Sequence, residues 1–245
     1  MITSAKTSTS EMIKVEQKLS VQYKVFADDS SAIRSLDWDR SRFDIEFGLR
    51  NGTTYNSFII KGQKLAIIDT SHAKFEKLWL EQLLKEINPE EIDYLITSHT
   101  EPDHSGLIGN LLNLNPQITL VGSKLALKFI EDQIHIPFKS LEVKSGQFLD
   151  LGANPTSGVN HNIEFISAPN LHWPDTIFSY DHGTNVLYTC DAFGLHYCSD
   201  EFFDNDQKEI YEDFRFYYDC LMGPNARSVL QAIKRIDKLP RLKTI

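Results

Sequence analysis

Short apolar stretches recur along this chain, and many of them alternate apolar with polar residues or lie between turn-forming residues. Successive side chains of a β-strand point to opposite faces of a sheet, so alternation indicates half-buried strands and short continuous apolar runs indicate buried ones. Lys61-Gly62-Gln63 favours a turn between two such strands. The pattern predicts strands in the segments 43–49, 56–60, 64–70, 92–99, 117–123, 163–169, 176–181 and 185–194.

Other segments place apolar residues three and four positions apart, which is the spacing of one face of an α-helix. FEKLWLEQLLKEI has this spacing and is followed by Pro89, while SKLALKFIED begins with Ser123, a residue type that caps helices. Residues 152–162 show neither pattern and are expected to form a loop. We predict helices in the segments 75–87, 106–114, 123–132, 206–221 and 226–236. The mixture of elements predicts an α/β fold in which sheets lie between helices.

The length of 245 residues suits one domain, which we place at residues 23–245 after a Ser- and Thr-rich, flexible lead-in at residues 1–22. The formal net charge of −9, without a cluster of Lys and Arg, argues against binding to nucleic acid or to anionic membranes. The sequence contains no apolar run of about 18 residues, so no membrane span is expected. Its first residues lack the apolar core of a secretory signal.

The three cysteines, Cys190, Cys198 and Cys220, form an odd number and no CxxC pair. This spacing argues against a disulfide framework, a rubredoxin-type iron site and a zinc ribbon. We expect reduced thiols in a cytoplasmic protein.

The segment SHTEPDHSG directly follows the predicted strand IDYLIT and concentrates groups that bind metals or move protons. His99, Glu101 and Asp103 are two positions apart, so an extended segment would direct them to one side, and a turn after Pro102 would bring His104 to them. Four candidate ligands from one loop exceed what a single zinc site takes from one segment, which favours two adjacent metals. The alternative is that the histidines are surface residues and that Asp103 caps a helix beginning near residue 105.

Two further polar positions also follow predicted strands, where α/β sheets carry their functional loops. His172 follows IEFISAPN, and Asp191 ends NVLYTC. His172 beside Trp173 is, on its own, more typical of a packed histidine than of a ligand. An ionised Asp191 at the end of an apolar strand is costly unless it is paired or metal-bound, although it could equally serve a turn.

Four residues are candidates for a supporting role around such a site. Asp69 and His72 follow the strand KLAII and could reach the same edge of the sheet, with Asp69 orienting a ligand. Trp173 and His196 lie close in sequence to His172 and Asp191. The remaining histidines lie in loop-like stretches and are expected to be exposed: His135, His161 and His182.

H-x-E-x-D-H, followed at long range by LHWPD and CDAFG, resembles the metallo-β-lactamase-like domain of flavodiiron proteins. The resemblance also includes NGTTYNSF, IIDT and APNLHWPDTIF, and it covers most of residues 43–200. Hydrolases of the same superfold carry His where this chain has Glu101. The segment RFDIEFGLRNGTTYNSF looks like the multidomain cyanobacterial branch, which carries diflavin proteins. The resemblance implies a metallo-β-lactamase-like αββα sandwich.

The resemblance also implies a pair of non-haem iron ions. His99, Glu101 and His172 would hold one ion, Asp103 and His104 would hold the other with one further His, and Asp191 would bridge them. Replacing an imidazole by Glu101 makes the site harder and favours iron over zinc. The implied reaction is the reduction of dioxygen to water or of nitric oxide to nitrous oxide.

The implied electron donor is FMN, held in the family by a flavodoxin-like domain of the neighbouring subunit in a head-to-tail dimer, here a homo- or heterodimer. Nothing in this chain resembles a flavodoxin phosphate loop, and no histidine follows His196. The family's last ligand is a His in a Gly-His-Gly-Pro-like motif further downstream. We therefore expect a chain truncated before that ligand, and we do not expect this stretch to be a competent oxidoreductase by itself.

Two other functional classes stay open. A metallohydrolase of the same superfold would cleave a thioester, lactone or phosphodiester with a metal-bound hydroxide, although Glu101 argues against it. A non-catalytic assembly module would retain the fold without the reaction.

Overall fold

The computed structural model describes residues 18–43, 47–204 and 210–245. In its strands, successive side chains point to opposite faces of the sheet. Leu65 and Ile67 of one strand pack in one core, while their neighbours Ala66 and Ile68 pack in another. This strand, Leu65–Ile68, is therefore buried on both sides, which requires a covering layer on each face of its sheet.

The larger sheet has seven strands: β1 (Leu19–Ala27), β2 (Ser30–Asp37), β5 (Thr53–Lys61), β6 (Leu65–Ile68), β7 (Ile92–Ile96), β8 (Thr119–Gly122) and β9 (Lys139–Glu142). They lie in the order β1-β2-β5-β6-β7-β8-β9. The first four strands are antiparallel neighbours, and β6 to β9 are parallel. A separate short pair is formed by β3 (Arg42–Phe43) and β4 (Phe47–Gly48).

The smaller sheet is an antiparallel meander of four strands in sequence order. Its strands are β10 (Phe148–Ala153), β11 (Asn160–Ser167), β12 (Ile177–Asp181) and β13 (Val186–Tyr188). Thr244 forms a parallel bridge with Val186 at the free side of β13.

The helices are α1 (Glu76–Glu86), α2 (Pro102–Ser105), α3 (Ile108–Leu114), α4 (Lys124–Ile134), α5 (Tyr211–Tyr217) and α6 (Ala226–Ile236). A π-helical turn, Tyr218–Met222, continues α5. The predicted cap of α4 is confirmed, because the Ser123 hydroxyl accepts a hydrogen bond from the amide of Ala126. None of the helices within the described ranges is long and apolar enough to cross a membrane.

Three apolar cores lie between neighbouring layers and join them. One joins the larger sheet to α1, α3 and α4 and includes Trp79 and Leu111. The second lies between the two sheets and includes Ile68 and Phe165. The third joins the smaller sheet to α5 and α6 and includes Phe178. Helices, sheet, sheet and helices in this order form the αββα sandwich that the sequence predicts.

Several boundaries differ from the sequence prediction. β1 begins at Leu19, inside the predicted lead-in at 1–22, and the pair β1–β2 was not predicted. β9 was also missed, and the predicted loop at 152–162 is shorter because β10 and β11 extend into it. β1 (LSVQYKVFA) does alternate apolar and polar residues, and the prediction missed it because its first residues were assigned to the lead-in. The fully exposed β9 shows no such alternation and becomes a strand because β8 supplies its hydrogen-bond partners. Residues 1–17, 44–46 and 205–209 of the predicted lead-in, strand and helix lie outside the described residues.

Candidate metal centre

The polar residues that follow strands in the sequence meet at one edge of the two sheets. The loop with His99 follows β7, Asp69 follows β6, and Asp191 follows β13. His172 follows β11, and the amide of Ile177 donates to the carbonyl of Ser98 (2.9 Å), which joins the two sheets at this edge. Because the carboxyl ends of neighbouring strands lie together, residues up to 122 positions apart in sequence share one site: Asp69 and Asp191.

The acidic segment after β7 turns into the short helix α2, which corrects the expectation that it is entirely loop. Pro102 occupies the first helical turn, where its missing N–H costs nothing. The carbonyl of Glu101 accepts hydrogen bonds from the amides of His104 (2.9 Å) and Ser105 (3.0 Å). The Asp103 side chain makes no cap, so the helix positions Asp103 and His104 for the site instead.

Four donors form a first cluster: His99, Glu101, His172 and Asp191, with one ligand atom from each within 4.8 Å of the others. The Glu101 Oε2 atom lies 2.8 Å from His172 Nε2 and 3.3 Å from His99 Nε2. The Asp191 Oδ2 atom lies 3.6 Å from both imidazole Nε2 atoms. Metal–ligand bonds of about 2.1 Å at tetrahedral or octahedral angles separate ligand atoms by roughly 3.0–3.5 Å. The 3.3 Å and 3.6 Å separations are close to these values, whereas the 2.8 Å contact between Glu101 and His172 is a hydrogen-bond distance that an ion would lengthen.

A second cluster shares Asp191 with the first and adds Asp103 and His104. His104 Nε2 lies 2.9 Å from Asp191 Oδ1 and 3.5 Å from Asp103 Oδ2. The two oxygens of Asp191 therefore face different clusters, Oδ1 towards His104 and Oδ2 towards His99 and His172. This is the arrangement of a carboxylate that bridges two ions.

Unpaired buried oxygens test whether the residues fit metal ions. Asp103 Oδ1 and Asp191 Oδ2 are buried and have no hydrogen-bond partner among the described residues. A buried carboxylate oxygen without a partner is costly, and a bound cation removes that cost. The donor set of imidazoles and carboxylates is the one that non-haem iron uses, so the residues fit the group.

The groups of the two clusters perturb one another strongly. Burial lowers the pKa of His99, but hydrogen bonds with Asp175 and Glu101 outweigh it and raise that pKa to about 9. Burial raises the pKa of Asp103 to about 6. Burial opposes the ionised form of Asp191, yet nearby His104 and His99 hold the pKa of Asp191 below its usual range. Without metal the site thus holds protons, and cations would replace them.

Asp175 orients the first cluster, and the sequence analysis did not identify it. Its Oδ1 atom lies 3.1 Å from His99 Nδ1, and its Oδ2 atom accepts hydrogen bonds from the amide (2.8 Å) and hydroxyl (2.7 Å) of Thr100. Such a carboxylate fixes the imidazole with Nε2 free for a metal. The sequence feature that could have identified Asp175 is its position in LHWPD, three residues after His172. The rings of Trp173 and His99 form an edge-to-face contact, with 4.9 Å between centroids.

Asp69 and His196 border the site. Asp69 Oδ1 accepts the amide of Ser98 (2.7 Å), and its Oδ2 lies 3.5 Å from His104 Nδ1. His196 Nδ1 lies 2.9 Å from the Thr53 hydroxyl, and its ring packs against Phe43. Burial lowers the pKa of His196 to about 4, so the imidazole is neutral at pH 7.

His72 has a local structural role. Its Nδ1 atom accepts the amide of Lys74 (3.2 Å), and its ring stacks on Tyr55. It belongs to none of the metal-donor groups found within the described residues. Of the histidines expected at the surface, His135 is exposed and His182 is half-buried, but His161 is fully buried. His161 is buried because β11 pairs with β12 and places it against Asp181.

A cavity of about 340 Å³ opens beside the second cluster. Its wall includes Asp103, His104, Asp191, His196 and Tyr217. A water molecule takes about 30 Å³ of liquid volume, so the cavity admits small substrates to the side of the cluster that faces His104.

The fold and this site agree with known proteins. Residues 53–245 match the family described as ODP family beta lactamase, and the chain belongs to that family. Diflavin flavoprotein A 1 of Synechocystis sp. is 57% identical over 230 residues, which cover 94% of this chain and 39% of that protein. The chain thus spans about two fifths of the length of this curated relative.

Solved structures show the same architecture. A metal-soaked Flv1 flavodiiron core from Synechocystis sp. superposes with a TM-score of 0.84 at 32% identity, covering 92% of this chain and 55% of that chain. Rubredoxin oxygen:oxidoreductase from Desulfovibrio gigas superposes with a TM-score of 0.81 at 28% identity, covering 88% and 53%. The expected metallo-β-lactamase-like fold and the resemblance to flavodiiron proteins are confirmed.

Proposed function

We propose that this chain is the diiron-binding part of a flavodiiron oxidoreductase that reduces dioxygen to water or nitric oxide to nitrous oxide. The observation that carries the proposal is the position of Asp191, whose two oxygens face two donor clusters at once. Glu101 supports it, because a carboxylate at this position makes the first cluster harder than an all-imidazole set.

In this proposal His99, Glu101 and His172 would hold one ion, Asp103 and His104 would hold the second, and Asp191 would be a ligand to both. When bound, two ferrous ions would supply two electrons to a diatomic substrate. The protein's own residues hold the donors in place: Asp175 fixes His99 through a hydrogen bond, and Asp69 lies against the far side of His104.

The walls of the site control access. Trp173 covers the imidazole of His99, and the cavity beside His104 supplies an approach for a diatomic molecule. His196 is half-buried and neutral at pH 7 and lines this cavity. Its Nε2 atom is buried and has no hydrogen-bond partner among the described residues, so a polar substrate or product would reach it only after the ring turns.

Electron supply would come from outside this part of the chain. Full reduction of dioxygen takes four electrons, so a two-iron site must be reduced again during each turnover. We propose that FMN on a flavodoxin-like domain performs this step, and that the domain belongs to the neighbouring subunit of a head-to-tail homo- or heterodimer. The relative named diflavin flavoprotein A 1 supports a flavin partner. We also propose that the reaction takes place in the cytoplasm.

Metal content and gas consumption test the proposal. The full-length protein, produced with iron in the medium, is expected to contain iron and to consume dioxygen or nitric oxide when NAD(P)H and FMN are supplied. Glu101→Ala is expected to lose both iron and gas consumption, and Glu101→His to favour zinc over iron. A wild-type protein that binds only zinc would contradict the proposal.

Two other outcomes would replace it with a different function. Hydrolysis of thioesters, lactones or phosphodiesters that disappears in Glu101→Ala would identify a metallohydrolase. A protein that binds iron but consumes neither gas with its flavin donor would be an assembly module.

A further inference from the structure

The segment that follows Asp191 crosses the larger sheet without becoming part of it. Residues 195–204, which we call the strap, form neither a helix nor a strand. The strap supplies much of the wall of the cavity of about 340 Å³ beside the second cluster, with His196 at one end and Phe202 near the other. The contacts that hold the strap therefore decide how open this cavity is.

Side chains from the larger sheet hold the strap by its backbone carbonyls. The Thr54 hydroxyl, on β5, donates a hydrogen bond to the carbonyl of Tyr197 (2.7 Å). The Gln22 side-chain amide, on β1, donates to the carbonyl of Asp200 (2.9 Å). Because these donors belong to different strands, the strap runs across the strands and is held at several separate points.

Arg34, on β2, makes the most contacts with the strap. Its Nη1 atom donates to the carbonyl of Glu201 (2.9 Å), and its Nη2 atom donates to the carbonyl of Ser199 (3.4 Å). The guanidinium also lies over the ring of Phe202, 5.5 Å from the centroid. A planar guanidinium presents several donors in a fixed arrangement, so one side chain holds both the backbone and the aromatic end of the strap.

The charge of Arg34 is satisfied by these same contacts. Arg34 is buried and forms no ion pair within the described ranges; it donates to Gln22 Oε1 (2.6 Å) and to the strap carbonyls. A buried charge is costly unless it is hydrogen-bonded, so the strap stabilises the guanidinium as the guanidinium holds the strap. Water can replace such polar contacts, which is the property of a segment that opens locally.

We propose that Arg34 is a positioning residue that keeps the strap seated over the cavity, and that detachment of the strap opens a route for small molecules to the second cluster. The strap would thereby limit which molecules reach His104 and Asp191. This inference concerns access to the cavity, and it rests on the proposed function only for what the cavity would admit.

The three thiols of the chain make detachment measurable. Cys198 lies in the strap, is buried, and donates its amide to the carbonyl of Asn51 (2.8 Å). Cys190 lines the cavity. Cys220 lies outside the strap, in the π-helical turn Tyr218–Met222, and serves as the reference. A buried thiol reacts from the open state, so its alkylation rate follows the population of that state.

Arg34→Met removes the guanidinium and retains an unbranched side chain. In metal-free protein, iodoacetamide should label Cys198 and Cys190 faster by about 10-fold or more in this variant, because charge-assisted hydrogen bonds are lost. The rate at Cys220 should not change. Peptide mass spectrometry measures the three rates, and no metal or reductase activity is needed.

The charge of Arg34 has the opposite effect on Cys198. Burial raises the pKa of Cys198 to about 11, and the Arg34 charge partly offsets this. Loss of that charge alone would raise the pKa further and slow alkylation, since the thiolate is the reactive form. Faster labelling of Cys198 therefore reports opening of the strap.

Two further variants complete the test. Thr54→Val keeps the side-chain shape, removes one neutral hydrogen bond to the strap, and should raise the rates at Cys198 and Cys190 by about 3-fold. Arg215→Met, at an exposed arginine of α5, should leave all three rates unchanged.

Unchanged labelling of Cys198 in folded Arg34→Met would overturn the proposal. Faster labelling of Cys198 with no change at Cys190 would overturn it as well, because the strap would then not control the cavity. An equal rise at all three thiols would show that Arg34 supports the whole fold and not the strap. If Arg34→Met fails to fold, Thr54→Val decides by the same criteria.

Discussion

Two buried clusters of imidazole and carboxylate groups in this chain differ in whether the oxygens of their central carboxylate, Asp191 or Asp181, are hydrogen-bonded. In the metal centre, four donors converge on one point, and an oxygen of Asp191 has no hydrogen-bond partner among the described residues. In the second cluster, His161 lies between Asp181 (2.7 Å) and Asp29 (3.5 Å), one carboxylate on each ring nitrogen. Both oxygens of Asp181 are occupied, by His161 and Thr184 on one side and the Gly183 amide on the other.

The difference shows that burial of His and Asp together does not define a metal site. Around His161 the two carboxylates lie on opposite sides of the ring and link the β1–β2 turn to the smaller sheet. His161 Nδ1 makes a hydrogen bond with Asp181, while Nε2 makes none among the described residues and has Asp29 at 3.5 Å. Around Asp191 the donors point at a common position and leave lone pairs unused. We therefore expect the first arrangement to contribute to folding stability and the second to metal affinity.

The largest expected effect is on stability at the His161 cluster. Asp181→Ala should lower the free energy of unfolding by about 3–5 kcal/mol, because it leaves a buried imidazole without its partner. Ferrous iron affinity should not change, since none of the metal donors touches Asp181. Urea unfolding and anaerobic iron titration measure the two quantities.

The half-buried pair His182–Glu164 (2.8 Å), in the same sheet, supplies a matched control. Glu164→Ala should cost about 1 kcal/mol or less. If Asp181→Ala weakened iron binding as strongly as a ligand variant, the separation of the two clusters would be wrong.

The next effect concerns metal affinity. Asp175→Asn should weaken iron binding by about 10–100-fold, as loss of a carboxylate that orients a metal-binding imidazole does. An amide N–H facing His99 Nδ1 would favour the tautomer that carries its proton on Nε2, where the metal should bind. Isothermal titration under anaerobic conditions measures the change.

Asp93→Asn is the matched control for this substitution. Asp93 accepts the amide of Leu65 (2.8 Å), far from the site, and its variant should bind iron normally. Equal iron affinity of Asp175→Asn and wild type would show that Asp175 does not orient His99.

The His161 cluster should also give a pH-dependent stability. Burial lowers the pKa of His161, but Asp181 and Asp29 outweigh it and raise that pKa, so this contribution is lost as pH rises through the raised value. Burial opposes ionisation of Asp181, but His161 holds the pKa of Asp181 low, so that contribution is lost as pH falls through the lowered value.

Both contributions are complete between roughly pH 4 and pH 6.5, the ordinary pKa values of the two groups. The difference in urea midpoint between wild type and His161→Gln should be largest in this range and should shrink at higher pH. His135→Gln, at an exposed histidine, should show no such dependence. A difference that grows with pH would contradict the assignment.

The smallest expected effect is at His72. His72 caps the short 3-10 helix Ala73–Phe75, where its side chain accepts the Lys74 amide. His72→Ala should therefore lower stability by about 1 kcal/mol, the usual cost of losing a cap, and should leave iron affinity unchanged. Thermal unfolding and iron titration measure the two. Reduced iron affinity would instead show that His72 supports the metal site, the role for which the sequence made it a candidate.

Residues a few positions apart in the sequence were sufficient to predict many of this protein's strands and helices. Alternating apolar residues predicted the central strands, the spacing of FEKLWLEQLLKEI predicted α1, and Ser123 predicted a cap, because each depends on residues a few positions apart. The grouping of His99, Glu101, Asp103 and His104 was visible for the same reason. Strands with weak alternation, such as β9, were missed because pairing with a neighbour makes them strands.

The sequence by itself thus determined the layered α/β class, the acidic and imidazole-rich segment after β7, and the resemblance to flavodiiron proteins. Only the tertiary structure decided which distant side chains meet. It brought Asp175 to His99, turned His72 away from the donors, buried His161 between two carboxylates, and placed Asp69 beside the Nδ1 atom of His104. These contacts depend on how strand ends from two sheets come together, and no local pattern of residues encodes that arrangement.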